Sequence, residues 1–347
     1  MNILLTAINA KYIHSNLAVY SLRACAGEYR DAVELAEYTI NNQKDYILEE
    51  LYKRKPDVLC FSCYIWNIDY VTDIAREYKK LCPSVPIWVG GPEVSYEVEA
   101  FLRENPYIDG VMIGEGEDTF RELCGYYAHK RKLSDIAGIA FRKNSTGNST
   151  SVNNIGGNKA GEIVFTSPRP IKNMSEIPFC YDTLDDFSNR IIYYESSRGC
   201  PFSCSYCLSS VDNTLRFRDT RIVKRELKFF IDQKVPQIKF VDRTFNCNHA
   251  HAMELWRFIK ANDNGVTNFH FEISADLLNQ EELELISDMR PGLIQLEIGV
   301  QSTNEVTIKE IHRTMKLERL KEVVKLFQSG NNIHEHLDLI AGLPYED

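Results

Sequence analysis

The chain has 347 residues, of which 44% are hydrophobic and 26% charged, and its formal net charge is −9. This length allows two domains with separate cores, and the composition excludes extended disorder. The acidic balance argues against a protein that binds nucleic acid through broad phosphate neutralisation, and no apolar run is long enough to cross a bilayer.

The first 130 residues alternate apolar, strand-like runs with amphipathic stretches, which is typical of a parallel α/β sheet. The amino terminus lacks the basic segment and cleavage site of a secretory signal and is predicted as the first strand. Predicted strands cover residues 2–8, 33–40, 57–64, 86–90 and 110–113, and predicted helices cover residues 16–29, 45–53, 69–81, 94–104 and 119–129. The pattern predicts a complete doubly wound, Rossmann-like domain over residues 1–135, with ligands at the carboxyl ends of the strands.

Four loops follow strands of this predicted domain and supply its candidate binding residues. These residues are Asn9, Tyr12, His14, Ser62, Gly90, Gly91, Gly114 and Glu115. Glycine lets a backbone approach a bulky ligand closely because no Cβ intervenes. Each glycine pair taken alone is more often a structural turn, whereas four such loops at one edge of the sheet indicate a binding site.

Residues 136–190 lack the alternating strand and helix pattern of the first 135 residues. Apolar runs at residues 138–142 and 162–165 flank a polar segment at 144–160, which predicts a β-hairpin with a long tip. Three prolines, Pro168, Pro170 and Pro178, then indicate an extended linker.

The second half, residues 191–347, repeats the order of strand then helix. Predicted strands cover residues 191–197, 238–242, 269–274, 293–300 and 336–341, and predicted helices cover residues 222–233, 250–262, 280–289 and 317–329. This order predicts a partial TIM barrel, in which functional groups gather at the carboxyl ends of the strands.

Cys200, Cys204 and Cys207 form a closely spaced CxxxCxxC motif. A [4Fe–4S] cluster is normally held by four thiolates, so three leave one iron without a protein ligand and open to chemistry. Zinc is the weaker interpretation, because the nearest further cysteines, Cys180 and Cys247, fall outside the usual zinc spacing. Without a secretory signal, the ten cysteines of the chain are expected to be reduced and the protein to be cytoplasmic.

With Tyr206 before the third thiol and a strand-like run ahead of it, this motif resembles the radical S-adenosylmethionine (radical SAM) superfamily. The resemblance implies that SAM chelates the open iron of a [4Fe–4S] cluster through its amino and carboxylate groups. An electron from the reduced cluster would then cleave SAM to a 5′-deoxyadenosyl radical that abstracts hydrogen. The expected partner is an external electron donor such as flavodoxin or ferredoxin. Neither a membrane nor a nucleic acid is expected as a partner.

The four loops of the first half, taken in order, resemble the cobalamin-binding domain that precedes the radical SAM core in one large subfamily. The resemblance implies that Ser62, Gly90 and Gly91 line the slot for the lower nucleotide tail of cobalamin. It places the other loop residues nearer the corrin: Asn9, Tyr12, His14, Gly114 and Glu115. The chain lacks the DxHxxG motif of methionine-synthase-like domains, so no histidine is expected below the cobalt.

The same family resemblance implies contacts to SAM from the strand ends of the second half. Asp242 and Arg243 would pair with the methionyl amino and carboxylate groups, with a structural salt bridge as the alternative. Glu272 matches a position that contacts the ribose or amino group in relatives, and a carboxylate in an apolar strand needs a partner. The remaining candidates are Gln301 and Ser302 on the ribose side, Arg313 at the carboxylate and Tyr206 near the adenine or shielding the cluster.

The leading hypothesis from the sequence is a cobalamin-dependent radical SAM enzyme that methylates an unactivated carbon. Oxidative cyclisation or another rearrangement with the same cofactors is the alternative within the enzyme class. A third hypothesis is a cofactor-binding module that is inactive alone. The family's barrel has six strand–helix units, whereas five strands are predicted here, so the chain is expected to lack a sixth unit and any further carboxy-terminal domain. The substrate is not predicted.

Overall fold

The structure, a computed structural model, describes residues 1–143, 161–211 and 214–346. It divides into two compact units. The first comprises Met1–Lys172 with Ile177–Arg190, and the second comprises Asn173–Glu176 with the chain from Ile191 onward. The predicted hairpin tip at residues 144–160 lies outside the described residues. Within those residues, no helix has both the length and the apolar composition needed to cross a membrane.

The first unit is built on one seven-stranded sheet. Its strands are β1 (Ile3–Asn9), β2 (Val33–Thr39), β3 (Val58–Ser62), β4 (Ile87–Gly90), β5 (Gly110–Met112), β6 (Ile139–Arg142) and β7 (Ile163–Phe165). Its helices are α1 (Leu17–Cys25), α2 (Lys44–Arg54), α3 (Ile68–Leu81), α4 (Val98–Glu104) and α5 (Glu117–Tyr127). The strand order is β2-β1-β3-β4-β5-β6-β7, and β1 to β5 run parallel. The predicted doubly wound arrangement is confirmed.

The hairpin of residues 136–190 extends this sheet. Strand β6 pairs antiparallel with β5, with Met112 opposite Ile139, and β7 pairs antiparallel with β6. Ile139 and Ala140 are fully buried, so the hairpin completes the core of the first unit rather than only connecting two domains.

Two predicted helices are shorter in the structure. Helix α1 ends at Cys25, because Gly27 adopts a positive φ of 59° and begins a 3₁₀ turn instead of a further helical turn. Helix α4 begins at Val98 rather than at residue 94, since the Pro92–Val94 segment forms a separate 3₁₀ turn.

The second unit holds a five-stranded parallel sheet and a short two-stranded ribbon. Its strands are β8 (Ile192–Tyr194), β9 (Ser197–Arg198), β10 (Arg216–Phe217), β11 (Gln237–Phe240), β12 (Asn268–Ile273), β13 (Ile294–Gln301) and β14 (His334–Leu339). Its helices are α6 (Thr220–Asp232), α7 (His249–Ala261), α8 (Gln280–Ser287), α9 (Glu305–Glu310) and α10 (Leu317–Gly330). The parallel sheet has the order β14-β13-β12-β11-β8, which is the arrangement expected of a partial TIM barrel.

The strand predicted at residues 191–197 is divided in the structure. It leaves the parallel sheet after Tyr194, and β9 pairs antiparallel with β10, with Ser197 opposite Phe217. Helix α9 was not predicted; its six residues are too few for a clear helical period.

Aromatic rings pack the parallel sheet of the second unit against α7. The ring of Phe245 lies 4.3 Å from Phe271 and 5.4 Å from Trp256, and Phe240 lies 4.6 Å from Phe271, between ring centroids. All four side chains are fully buried. This packing holds the carboxyl end of β11, and with it the segment 241–246, in a fixed position.

Candidate functional site

Hydrogen bonds from asparagine side chains fix the conformation of the loop after β1. Asn9 donates from Nδ2 to the backbone oxygen of His14, at 3.0 Å, and to Glu37, at 2.9 Å. Asn16 caps α1 and donates from Nδ2 to the hydroxyl of Ser62, at 3.2 Å. The structure therefore joins the loop that holds Asn9 and His14 to Ser62, which follows Asn16 by 46 positions in the chain.

Glu37 on β2 organises this loop, and sequence reasoning missed it. Its Oε1 accepts from Asn9 and from the backbone nitrogen of Asn16, at 2.8 Å, while its Oε2 accepts from the hydroxyl of Tyr20 and from Arg190. A glutamate inside an apolar strand is the signal that could have identified it, because such a carboxylate needs partners.

The glycine pair after β4 packs directly against the loop after β3. Cys63 donates its backbone N–H to Gly90 O at 2.7 Å. Gly91 has a φ of 119°, and a Cβ there would lie 2.4 Å from Cys63 O. Only glycine fits such an approach, since no rotation of a side chain relieves a contact with backbone. Ser95 bridges onward, donating to Gly91 O at 2.8 Å and accepting from Gly114 N at 3.4 Å.

Exposed aromatic side chains stand beside these loops. The Tyr12 side chain is 66% exposed and lies under the guanidinium of Arg190, 5.3 Å from the ring centre. Trp66, which was not predicted, is 45% exposed and stacks on Tyr64 at 4.5 Å. Flat, exposed rings and close-packed glycine backbone suit a large planar ligand such as a corrin. Glu115 lies further along the edge, where its carboxylate accepts from Lys172 N at 3.2 Å.

The three-cysteine loop in the second unit begins at a glycine that no other residue can replace without movement. Gly199 has a φ of 85°, and a Cβ would lie 2.4 Å from Thr214 O. The loop closes on itself through Cys207 N, which donates to Cys204 O at 3.1 Å, and Ser205 N donates to Ile311 O at 3.0 Å. Cys200 and Cys204 are buried, whereas Cys207 is partly exposed.

This donor set fits an iron–sulfur cluster. Within the described ranges, no three histidine, cysteine or carboxylate side chains converge as ligands of a single metal ion. A four-iron cluster does not require such convergence, because each thiolate binds a different iron. All ten cysteines lie in the described residues and are free thiols. Cys200, Cys204 and Cys207 are therefore available to hold a [4Fe–4S] cluster with one open iron.

Asp242 and Arg243, adjacent in sequence, have opposite environments. The Asp242 side chain has no exposed surface and accepts from Ser196 N at 2.8 Å, Ser196 Oγ at 2.6 Å and Ser197 Oγ at 2.5 Å. Burial raises the pKa of Asp242 to about 7, against the lowering effect of these bonds. Arg243 is exposed. Of the two side chains, Arg243 is open to solvent, whereas the Asp242 carboxylate is enclosed by protein donors.

Glu272 lies on the face of the parallel sheet that carries further charges. Its carboxylate is 3.9 Å from Lys239 Nζ, which also lies 2.6 Å from Glu297, and His270 Nε2 lies 3.0 Å from Glu297. Burial is the main cause that raises the pKa of Glu272, whereas the close approach of His270, followed by that of Lys239, lowers the pKa of Glu297 to about 2. Only Glu272 of this group was predicted, and it is the carboxylate less satisfied by neighbours.

Tyr206, Gln301 and Arg313 are brought together at the end of β13. Arg313 donates to Gly299 O and, at 3.2 Å, to the hydroxyl of Tyr206. Gln301 has a φ of 69°, and its amide nitrogen would lie 2.3 Å from a Cβ at Gly299, so its side chain folds back over that glycine. Non-glycine residues in this conformation cluster at functional sites.

Ser302 is buried beside this group, and its hydroxyl forms hydrogen bonds within the turn that follows β13. Its hydroxyl accepts from Asn304 N at 2.9 Å and donates to Glu346. The structure therefore places Ser302 next to the predicted SAM residues, with its hydroxyl directed into the turn.

Comparison with known proteins agrees with both halves of this description. Residues 3–124 match the B12 binding domain, and residues 194–347 match the radical SAM superfamily. Among solved structures, the radical SAM methyltransferase TsrM from Kitasatospora setae, with tryptophan and a SAM analogue bound, is similar with a TM-score of 0.74. The match is 16% identical and covers 100% of this chain and 69% of TsrM, so it shows the fold.

Curated relatives of the chain include methyltransferases and anaerobic magnesium-protoporphyrin IX monomethyl ester cyclases. The cobalamin-dependent radical SAM methyltransferase TokK of Streptomyces tokunonensis is 28% identical, over 93% of this chain and 46% of TokK. The 2-(S-pantetheinyl)-carbapenam-3-carboxylate methyltransferase of Streptantibioticus cattleyicolor is 27% identical, over 84% of this chain and 43% of that protein. The chain thus spans less than half the length of these two relatives.

The two domain matches confirm the predicted cofactor set, which is a [4Fe–4S] cluster, SAM and cobalamin. Radical SAM enzymes also require a reductant and a substrate. With a B12 binding domain in its first unit and a radical SAM domain in its second, the chain belongs to the B12-binding radical SAM family.

Proposed function

We propose that this chain carries the cofactor-binding part of an enzyme that transfers a methyl group to an unactivated carbon. The observation that carries the proposal is the presence, on one chain, of a three-thiol loop and a B12 binding domain, a combination shared with cobalamin-dependent methyltransferases. When bound, the cofactors would supply a 5′-deoxyadenosyl radical from SAM that abstracts hydrogen from the substrate, and a methyl group carried on cobalt.

In this proposal the second unit holds the cluster and SAM. Cys200, Cys204 and Cys207 would hold the [4Fe–4S] cluster, and with only three thiolates one iron would stay open to SAM. Arg313 is fixed by Gly299 O and the Tyr206 hydroxyl, so its charge is held at the end of β13 for the SAM carboxylate. The remaining SAM contacts are assigned to Tyr206, Arg243, Glu272, Gln301 and Ser302.

The first unit binds cobalamin at the carboxyl edge of its sheet. Ser62, Gly90 and Gly91 are assigned to the slot for the nucleotide tail, where Gly91 packs so closely on the backbone of Cys63 that a Cβ would not fit. The corrin contacts are assigned to Asn9, Tyr12, His14, Gly114 and Glu115. An external donor such as flavodoxin or ferredoxin reduces the cluster.

The test is anaerobic reconstitution of the chain with iron, sulfide and cobalamin, followed by reduction in the presence of SAM that carries a trideuterated methyl group. We expect 5′-deoxyadenosine and trideuterated methylcobalamin, both read by mass spectrometry. A chain that binds both cofactors and forms 5′-deoxyadenosine but leaves cobalamin unmethylated contradicts methyl transfer. A chain that binds the cluster and forms no 5′-deoxyadenosine contradicts SAM cleavage by this chain.

A further inference from the structure

Little regular secondary structure holds the start of the three-cysteine loop. Strand β9 is two residues long and, among the residues that the structure describes, pairs with the two residues of β10. Beyond this ribbon, Arg218 N donates to Ser196 O at 2.9 Å. So short a ladder gives few backbone hydrogen bonds, and a two-stranded ribbon is marginally stable by itself. Another element must fix the path of the chain into Cys200.

That element is the segment after β11. Asp242 accepts three hydrogen bonds from Ser196 and Ser197, at 2.5 to 2.8 Å, and its side chain has no exposed surface. Two residues later, Thr244 Oγ1 lies 3.7 Å from Cys200 Sγ. The segment after β11 thus contacts the start of the cysteine loop at two points, which are the serine pair and the Cys200 thiol.

Ser196 is held from its other side as well. Its hydroxyl donates to Asp242 and lies 3.0 Å from His251 Nε2, so the ring of His251 donates to the same oxygen. His251 is itself packed between Phe217 of β10 and Phe245, at 4.8 and 6.0 Å between ring centres. Ser196 is therefore held between Asp242 and His251 of α7.

We infer that Asp242 is a positioning residue that sets the path of the cluster loop, rather than a ligand of SAM. The inference rests on the proposed function for the identity of the cluster, but the hydrogen bonds that carry it involve protein atoms alone. A buried carboxylate with three protein donors at these distances is satisfied without an external partner. Losing it leaves the two hydroxyls and one amide of the serine pair without their acceptor, and the loop start is released.

The decisive experiment compares Asp242→Asn with Arg243→Gln, a change at the exposed neighbour. In the full chain without iron or cobalamin, alkylation of each cysteine by iodoacetamide is followed by mass spectrometry. We expect Asp242→Asn to raise the alkylation rate of Cys200 about tenfold, as expected for the loss of about one buried hydrogen-bonded contact. Arg243→Gln should leave the rate unchanged, and buried Cys124 in the other unit is the internal reference.

The second readout is the electron paramagnetic resonance spectrum of the reduced, SAM-free cluster after reconstitution. A positioning role predicts changed g-values and lower iron content in Asp242→Asn. If Cys200 alkylation and the SAM-free spectrum both match wild type while SAM affinity falls, Asp242 is a SAM ligand and the inference is wrong. If wild type takes up no cluster, the proposed function fails, whereas the alkylation result still decides the role of Asp242.

Should Asp242→Asn not fold, Ser197→Ala provides the same test with a smaller perturbation, since it removes one donor and leaves the carboxylate in place. We expect a two- to threefold rise in Cys200 alkylation, a smaller effect because one of the three hydrogen bonds to the Asp242 carboxylate is lost. An unchanged rate in this folded variant counts against the inference.

Discussion

Glu37 and Arg190 form an ion pair whose side chains are only 7% and 10% exposed. The two residues are 153 positions apart, one on β2 and the other at the end of the first unit. Through Asn9 and Asn16, the same carboxylate holds the loop after β1, and the Arg190 guanidinium covers the Tyr12 ring. This pair therefore links the loop assigned to the corrin with the last residue before the radical SAM unit.

Replacing Glu37 by Gln is expected to destabilise the first unit by about 3 kcal/mol, because it leaves a buried guanidinium without its counter-charge. Cobalamin affinity should fall as the loop after β1 loosens. Denaturant unfolding and equilibrium cobalamin binding measure the two effects. The control is Glu49→Gln, at an exposed pair with Lys53, which should change stability by no more than about 0.5 kcal/mol. Equal effects from both variants would contradict the central role of Glu37.

Replacing Gly91 by Ala is expected to cost about 1–3 kcal/mol of stability from overpacking and to weaken cobalamin binding. The new Cβ would lie 2.4 Å from Cys63 O, and backbone must move to relieve that contact. Gly265→Ala is the matched control, since Gly265 also has a positive φ but no atom within 4 Å of a built Cβ. That control should lose about 1 kcal/mol and keep wild-type cobalamin affinity. Wild-type affinity in Gly91→Ala would show that the close backbone approach is not part of the site.

Replacing Cys200, Cys204 or Cys207 singly by Ala should abolish the [4Fe–4S] cluster, because two thiolates remain for four irons. Iron and sulfide content and the visible absorbance of the reconstituted protein measure the loss. Cys82→Ala, on the partly exposed end of α3, should retain the full cluster. A complete cluster in any of the three variants would remove that cysteine from the ligand set.

Asp242 and His251 contact Ser196 from two sides. We expect their titrations to change the free energy of unfolding with pH in opposite directions. Burial raises the pKa of Asp242 to about 7 and lowers the pKa of His251 to about 4. Because the pKa of Asp242 is higher in the folded than in the unfolded chain, its contribution to the free energy of unfolding is complete below the unfolded-state pKa. That contribution is lost as the pH rises to about 7. Stability from neutral His251 is present above its unfolded pKa and is lost as pH falls to about 4, by about 3 kcal/mol at most.

In the wild-type protein, the contributions of Asp242 and His251 to the slope of the free energy of unfolding against pH largely cancel between about pH 4 and pH 6.5. His251→Gln should therefore gain stability relative to wild type on acidification, and Asp242→Asn should lose it. Unfolding in urea at a series of pH values measures both. Parallel pH curves for the two variants would contradict the assigned environments.

The sequence predicted the fold well where local patterns decide it. Alternating apolar and amphipathic runs specified the parallel strands of both units, and the spacing of Cys200, Cys204 and Cys207 specified the kind of metal centre. The sequence-based prediction was less accurate where the path of the backbone depends on contacts with residues far away in the chain. The run at 191–197 has strand character throughout, yet Ser196 and Ser197 leave the sheet because Asp242 supplies their hydrogen-bond partner.

By itself, the sequence determined the two α/β domains, because their strands and helices follow from periodicity, and its resemblance to known families implied their cofactors through motifs whose residues are close in the chain. Only the tertiary structure decided which polar residues are committed to the protein and which are open to a ligand. Asp242 and Arg243 are adjacent and equally polar, but one is enclosed by serines and the other is exposed. Glu37 likewise acquires its role from Arg190, since a buried charge is defined by partners that only folding brings within hydrogen-bonding distance.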